Sequence, residues 1–181
     1  SKNTRIFEEG SYPKGVYVVK HGVVKVFRTT TQGKDSIVHL YGEGDFFGHR
    51  PLIANELQPV TAEALCDVVV SYIPKDIFLQ VYASSEHFAR KLLKSLTKEF
   101  SVWVNKVTAF AEYTVKERIA LGLLILNEVY KQSNQLQSRI IISREDFGAY
   151  VGTAKESLVR HLKSLKDQGI ILSERSGIQL L

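Results

Sequence analysis

Lys155, Glu156, Arg160 and Lys163 are the residues of this sequence whose types and spacing best suit recognition chemistry. A Glu carboxylate offers hydrogen-bond acceptors, and an Arg guanidinium a rigid fork of donors. Glu156 and Arg160 are four residues apart, so on a helix they share a face. Leu158, Leu162 and Leu165 fall at i, i+4 and i+7, one apolar stripe for the opposite side. Lys155, Arg160, Lys163 and Lys166, set against Glu156 and Asp167, make the outer side cation-rich. This is a helix built to approach a polyanion.

The elements that must hold such a helix lie on either side of it. Ser143 followed by Asp146 resembles a capping box and starts a helix there. Gly148 is small where a second helix crosses closely. Gly152 stands where the chain turns, since glycine tolerates positive φ, and Thr153 is expected to cap the second helix. Together they predict a helix-turn-helix, the shape that enters a DNA major groove. Taken alone, the pattern also fits an ordinary helical hairpin with a solvated outer face. The last dozen residues of the chain favour the first reading. Ile170–Leu172 and Ile178–Leu181 read as two short strands around the turn Ser173–Gly177, which makes a winged helix with Arg175 at its tip, in reach of a phosphate.

Composition sets the bounds. The chain has 181 residues, 44% hydrophobic and 24% charged, an ordinary soluble globular mix for one large domain or two small ones. No apolar run approaches a membrane span, and no signal-peptide pattern opens the chain. Ser1 is not an initiator Met and the opening residues already read as strand, so a preceding N-terminal piece is expected. The single cysteine, Cys66, excludes an internal disulfide and is expected to be a small buried side chain. That usage is consistent with a reducing cytoplasm. A net charge of +5 and a pI near 9.2 fit a polyanion partner without requiring one. No nucleophile–base pair, carboxylate pair or His-x-x-x-His spacing points to an enzyme or a metal site.

Residues 1–74 read as β structure: a hairpin broken at His21-Gly22, another turn at Thr31–Asp35, and a further strand at Val68–Ile73. Short strands with Gly-rich turns suggest a jelly-roll. From Ser85 to Phe110 there is no Gly or Pro, and Leu93, Leu96, Phe100, Trp103, Val107 and Phe110 are spaced 3, 4, 3, 4, 3. This a/d seam spans roughly 39 Å of helix at 1.5 Å per residue. It fits a long buried helix in a monomer, but a dimer seam is preferred because Lys94, Lys98, Glu99 and Lys106 leave the stripe narrow. Phe88 and Leu92 form a second row able to pack on the β domain. A helix from Thr114 to about Lys131 carries Ile119, Leu123, Leu126 and Tyr130 on one face. A polar loop, residues 132–138, and a short strand beginning at Arg139 lead into the helix-turn-helix. The expected fold is α+β: a double-stranded β-helix (1–84), a dimerisation helix (85–111) and a winged helix-turn-helix (112–181).

In that order the pieces resemble the cyclic-AMP receptor protein/FNR (CRP/FNR) family of bacterial transcription regulators. The carriers are Gly10–Pro13, Tyr17–Val26, Gly42–Gly48, Glu117–Ala120 and the helix-turn-helix ending in Asp167–Ile171. The resemblance implies a cytoplasmic homodimer that reads an inverted repeat in double-stranded DNA and works with RNA polymerase. Its DNA-contacting positions here are Ser143, Arg144, Thr153, Lys155, Glu156, Ser157, Arg160, Lys163 and Arg175. Lys155 replaces the more common Arg, which disfavours a bidentate guanine contact there, and His161 takes a place usually aliphatic.

The effector pocket that the resemblance implies comprises Phe47, Gly48, His49, Arg50, Pro51, Leu52, Pro59, Val60, Thr61 and Trp103. It departs from cyclic-nucleotide binders. The ribose-binding Gly-Glu pair is replaced by Gly48-His49, and the phosphate-binding Arg and its polar neighbour by Pro59-Val60. Trp103 and Val104 stand where a cyclic-AMP binder offers hydroxyls. A phosphate buried without a cation is costly, and Arg50 is the one candidate to supply it. Regulation by cyclic AMP is therefore not expected; no cofactor is predicted and the effector is unknown. A haem or other small ligand at His49 is an alternative, although a lone His beside an Arg more simply reads as a surface or hydrogen-bonded residue. Iron–sulfur sensing is excluded within this chain by its one cysteine, while the expected preceding N-terminal piece is left open as a source of ligands. An effector-binding module of a signalling enzyme or channel is the other alternative, against which the winged helix argues.

Overall fold

The computed structural model describes residues 1–133, 139–174 and 177–181. Seven strands form the N-terminal roll: β1 (Arg5–Phe7), β2 (Gly15–His21), β3 (Val24–Thr29), β4 (Asp35–Tyr41), β5 (Phe46–Phe47), β6 (Thr61–Ala64) and β7 (Val69–Pro74). They make two sheets, ordered β1-β6-β3-β4 and β5-β2-β7. Val19, Val24, Val26, Phe47 and Ala62 pack together as the buried filling of the roll, and Phe47 stacks against Tyr17 and Tyr41.

His21-Gly22 is not a hairpin. β2 and β3 lie in different sheets, and the pair joins them around a corner. The reason is long-range. Val23 receives its partners from 43 and 42 residues on: its N–H donates to Cys66 Sγ and its carbonyl accepts from Leu65 N. Gly22 has φ +85°, and a Cβ there would stand 2.3 Å from the Asp67 carbonyl oxygen, so the corner needs glycine. Cys66 is only half-buried. The turn after Thr29 does connect a true hairpin, β3 to β4.

Two helices interrupt or follow the β region: α1 (His49–Ala54) and α2 (Lys75–Ser84). Next comes α3 (Glu86–Glu112), 27 residues and about 40 Å long, begun by Ser85, whose hydroxyl accepts from Phe88 N at 3.2 Å. Leu92 and Phe88 join Val16, Leu52 and Phe78 on the roll, as their spacing predicts. Leu93, Phe100 and Val107 are 64%, 70% and 66% exposed, and Trp103 and Phe110 are exposed beside them; Leu96 is half-buried. In this single chain the apolar seam faces outward.

The C-terminal unit contains α4 (Val115–Ser133), α5 (Arg144–Val151), α6 (Lys155–Asp167), β8 (Ile171–Glu174) and β9 (Gly177–Leu180). Thr114 and Glu117 exchange capping bonds at the start of α4. The expected strand at 139–142 is a single bridge, Ile140 to Ile178. Part of the expected polar loop, residues 134–138, lies outside the described residues. One core cluster joins the two units: Val23, Phe27, Ile37, Leu40 and Leu65 of the roll pack with Phe147, Tyr150 and Val151 of α5 and the inner faces of α4 and α6. This explains why four successive residues of β3, Val24 to Phe27, are all buried. One face of the strand fills the roll and the other receives the helices. Among the described residues no helix is long and apolar enough to cross a membrane.

Candidate nucleic-acid interface and effector region

α5 starts as its sequence dictates. Ser143 Oγ accepts from Asp146 N at 2.9 Å and donates to Asp146 Oδ2 at 2.7 Å. Two glycines then set the crossing. A Cβ on Gly148 would lie 2.8 Å from the Thr153 carbonyl oxygen, so the turn packs against bare backbone. Gly152 has φ +65°, and a Cβ there would lie 2.2 Å from Phe110 Cε1. Left-handed backbone and contact with the end of α3 thus both require glycine. Thr153 does not cap α6. The N-cap is Ala154, which has no side-chain bond, and its carbonyl accepts the first helical bond from Leu158 N. The cap position falls one residue later than the sequence suggests.

Leu158, Leu162 and Leu165 are buried, as expected. Glu156, Arg160 and Lys163 point outward, and among the described residues none of the three is in an ion pair. Ser157 and His161 are half-buried. Lys155 is engaged by Glu145 of α5, whose hydrogen bond raises the lysine pKa and lowers the carboxylate's. Arg144 Nη2 donates to Ser173 Oγ at 2.8 Å, tying α5 to the wing, and partial burial lowers its pKa. The Ser143 hydroxyl is occupied by its cap. Arg175, expected at the wing tip, lies outside the described residues. The structure thus leaves Glu156, Arg160 and Lys163 of the expected set on one open face. The sequence pattern did not single out Val159, which is 45% exposed on that same face. An apolar residue off the Leu158–Leu165 stripe was its signal, and a thymine methyl is what such a side chain can meet.

The effector region is not assembled for an anion. Phe47 is sealed in the roll, and His49, Pro51 and Leu52 are buried along α1. Gly48 caps this helix with φ +83°, and a Cβ there would press on the Tyr17 ring. Arg50 points outward toward Glu56, 3.9 Å away. Pro59 and Val60 are half-buried, and Thr61 Oγ1 accepts from Glu9 N at 3.1 Å. Trp103 sits on the outward seam of α3. A cyclic phosphate has no inward cation among these residues, so they do not fit that group.

His49 contradicts the plain expectation of a surface or hydrogen-bonded histidine. It is 1% exposed, and neither ring nitrogen has a hydrogen-bond partner. The cause is its place on α1: i, i+3 from Leu52, it shares the buried face. Its ring stacks on Phe46 at 5.0 Å, and Nε2 lies 4.0 Å from Glu99 Oε1 of α3. Burial, aided by Arg50, lowers the His49 pKa to about 4. Burial, aided by Asp45, raises that of Glu99 to about 7. At that exposure the imidazole offers a haem no open approach.

Comparison with known proteins matches both halves of the chain. Residues 1–85 match a cyclic nucleotide-binding domain, and residues 117–181 a Crp-like helix-turn-helix domain. The chain is 24% identical over 182 residues to the transcriptional activator protein FnrA of Stutzerimonas stutzeri, covering 99% of this chain and 74% of that protein. It is 25% identical, with the same coverage, to the transcriptional activator protein anr of Pseudomonas aeruginosa. The solved structure of FixK2 from Bradyrhizobium japonicum superposes with a TM-score of 0.88 at 26% identity, over 99% of this chain and 88% of that one.

Proposed function

The chain belongs to the CRP/FNR family of transcription regulators, and on that premise we propose that it is a cytoplasmic homodimer, free of cyclic-AMP control, that reads an inverted repeat in DNA. The observation that carries the reading is the open face of α6. Glu156 and Arg160 project from a helix whose other side is locked into the core by Leu158, Leu162 and Leu165. A rigid helix presenting an acceptor and a fork of donors suits base edges in a major groove. Lys155 and Lys163 serve the flanking phosphates. The exposed seam of α3 supports pairing of two chains, which sets two copies of α6 one DNA turn apart, roughly 34 Å. Contact with RNA polymerase at the promoter belongs to the same reading, which is one of binding and not of catalysis.

The absence of cyclic-AMP control rests on Arg50 turning outward and on Pro59 and Val60 standing in place of a cation and a hydroxyl. The test is a salt titration of binding to promoter-length duplex against random duplex. A specific complex that survives salt concentrations at which random DNA is released is the expected result. Equal salt slopes and equal affinities would remove the base-reading assignment. Calorimetry with cyclic AMP is expected to give no binding in the low micromolar range or tighter.

A further inference from the structure

A cavity of about 540 Å³ opens where the roll, α3, α4 and α5 meet. Its wall is mostly apolar, with Val38 and Leu40 from β4, Val102 and Ala109 from α3, and Leu121 and Ile125 from α4. Two cations interrupt it. Lys106 donates to the Ile37 carbonyl at 2.6 Å and holds its ammonium 4.3 Å from the Tyr150 ring centre. Arg118 lays its guanidinium 5.0 Å from the Phe110 ring centre, and its Nε is buried with no hydrogen-bond partner. Lys106 also faces the Phe110 ring, at 5.7 Å, so the two cations approach one aromatic side chain. Among the described residues neither forms an ion pair.

A buried donor left unmade is costly, and a desolvated cation without a counter-charge more so. Burial already pulls the Lys106 pKa down to about 8, the same strain seen from the proton's side. An anionic head group in the cavity would meet the rest of the Arg118 guanidinium and neutralise both cations. The remaining wall defines the rest of the molecule. Its apolar side chains call for an apolar body, and 540 Å³ lies within the range of small-molecule pockets, about 300–1,000 Å³. Asp45 also lines the cavity, its carboxylate accepting from Gly42 N at 2.7 Å, and its negative charge disfavours a second charge on the ligand. His39, held neutral by burial, adds no positive charge to balance one.

We propose that this cavity is a binding site for an organic monoanion: one carboxylate on an apolar body, held by Arg118 and Lys106 at the junction of the roll and the winged helix. The site is distinct from the expected effector region of residues 47–61 and Trp103, and its occupation does not depend on the DNA-reading assignment.

Calorimetry on the full chain without DNA tests it, with decanoate as probe, decanol as its uncharged counterpart and inorganic phosphate as the head without a body. Decanoate is expected to bind at least about tenfold more tightly than decanol, the worth of a charge-assisted hydrogen bond, and phosphate not at all. Arg118→Gln and Lys106→Gln each keep an N–H donor, so the fold is expected to hold while decanoate affinity falls about tenfold. Val102→Trp, at an exposed site on the cavity wall, is expected to exclude decanoate while the urea midpoint stays in place. Equal binding of decanoate and decanol, binding of phosphate alone, or wild-type affinity in both cation variants would each overturn the assignment. Because no DNA is present, such a failure is separate from any failure of operator binding.

Discussion

Lys25 of β3 and Asp146 of α5, 121 positions apart, meet at 2.5 Å, and the same ammonium holds Glu63 of β6 at 3.0 Å. Lys25 is 6% exposed. Burial by itself lowers its pKa, but the hydrogen bonds it donates to Asp146 and Glu63 more than compensate and leave it raised. The residue that caps α5 through Ser143 is therefore also the one that ties that helix to the roll.

Lys25→Met leaves two carboxylates facing an apolar side chain. Removing one partner of a buried pair costs about 3–5 kcal/mol, so a large drop in the urea midpoint is expected at unchanged slope. The triple variant Lys25→Met, Glu63→Gln, Asp146→Asn removes the stranded charges and is expected to recover most of the loss. A wild-type midpoint for Lys25→Met alone would show that the tie carries no stability.

Acid and base act on the His49–Glu99 contact in opposite directions. Glu99 keeps its proton to about pH 7 in the fold and to 4.5 when unfolded. Between those values the unfolded chain binds fewer protons, so this group makes stability fall as pH rises. His49 titrates near 4 in the fold and 6.5 unfolded, so across that range its contribution makes stability rise with pH. His39, held near 4 by burial and by Lys106, adds to the second trend. Glu99→Gln removes only the first. Urea midpoints from pH 4.5 to 7.5 are expected to show the variant gaining on wild type as pH rises. A constant difference across that range would mean that Glu99 is ionised throughout.

The seam of α3 predicts a dimer. Phe100, at 70% exposure, and Trp103 are its largest apolar side chains, each burying roughly 150–250 Å² if enclosed. Phe100→Glu is expected to halve the mass in light scattering or to unfold the protein. A wild-type mass of one chain at micromolar concentration would sink the idea.

Arg160→Ala and Lys163→Ala are expected to fail differently. The first should cost about 1–3 kcal/mol and relax preference at one base pair in each half-site. The second should weaken all sequences alike and flatten the salt slope by about one unit. Titration of each variant against operator and random duplex separates them. If Arg160→Ala weakens both duplexes equally, the residue meets phosphate and not base.

Local pattern was enough for much of the helix-turn-helix. The Leu158–Leu162–Leu165 stripe and the Ser143 cap are set by contacts within a few residues, and the Gly152 turn appears where expected although Phe110 of α3 also packs against it; only the cap expected at Thr153 fell elsewhere, on Ala154. The outward seam of α3 and the inward row of Phe88 and Leu92 followed from helical period alone. What tertiary structure decided depends on segments far apart in the chain. The corner at Gly22 looked like a hairpin because β2 and β3 have ordinary strand periodicity; only the arrival of Leu65 and Cys66 beside Val23 separates them. Lys25 is buried because α5, more than a hundred residues on, covers that face of β3. His49 is sealed because Phe46 stacks on it and α3 brings Glu99 to its ring. The cavity holding Lys106 and Arg118 exists only where the roll, α3 and the C-terminal helices meet, and no spacing along the sequence encodes such a junction.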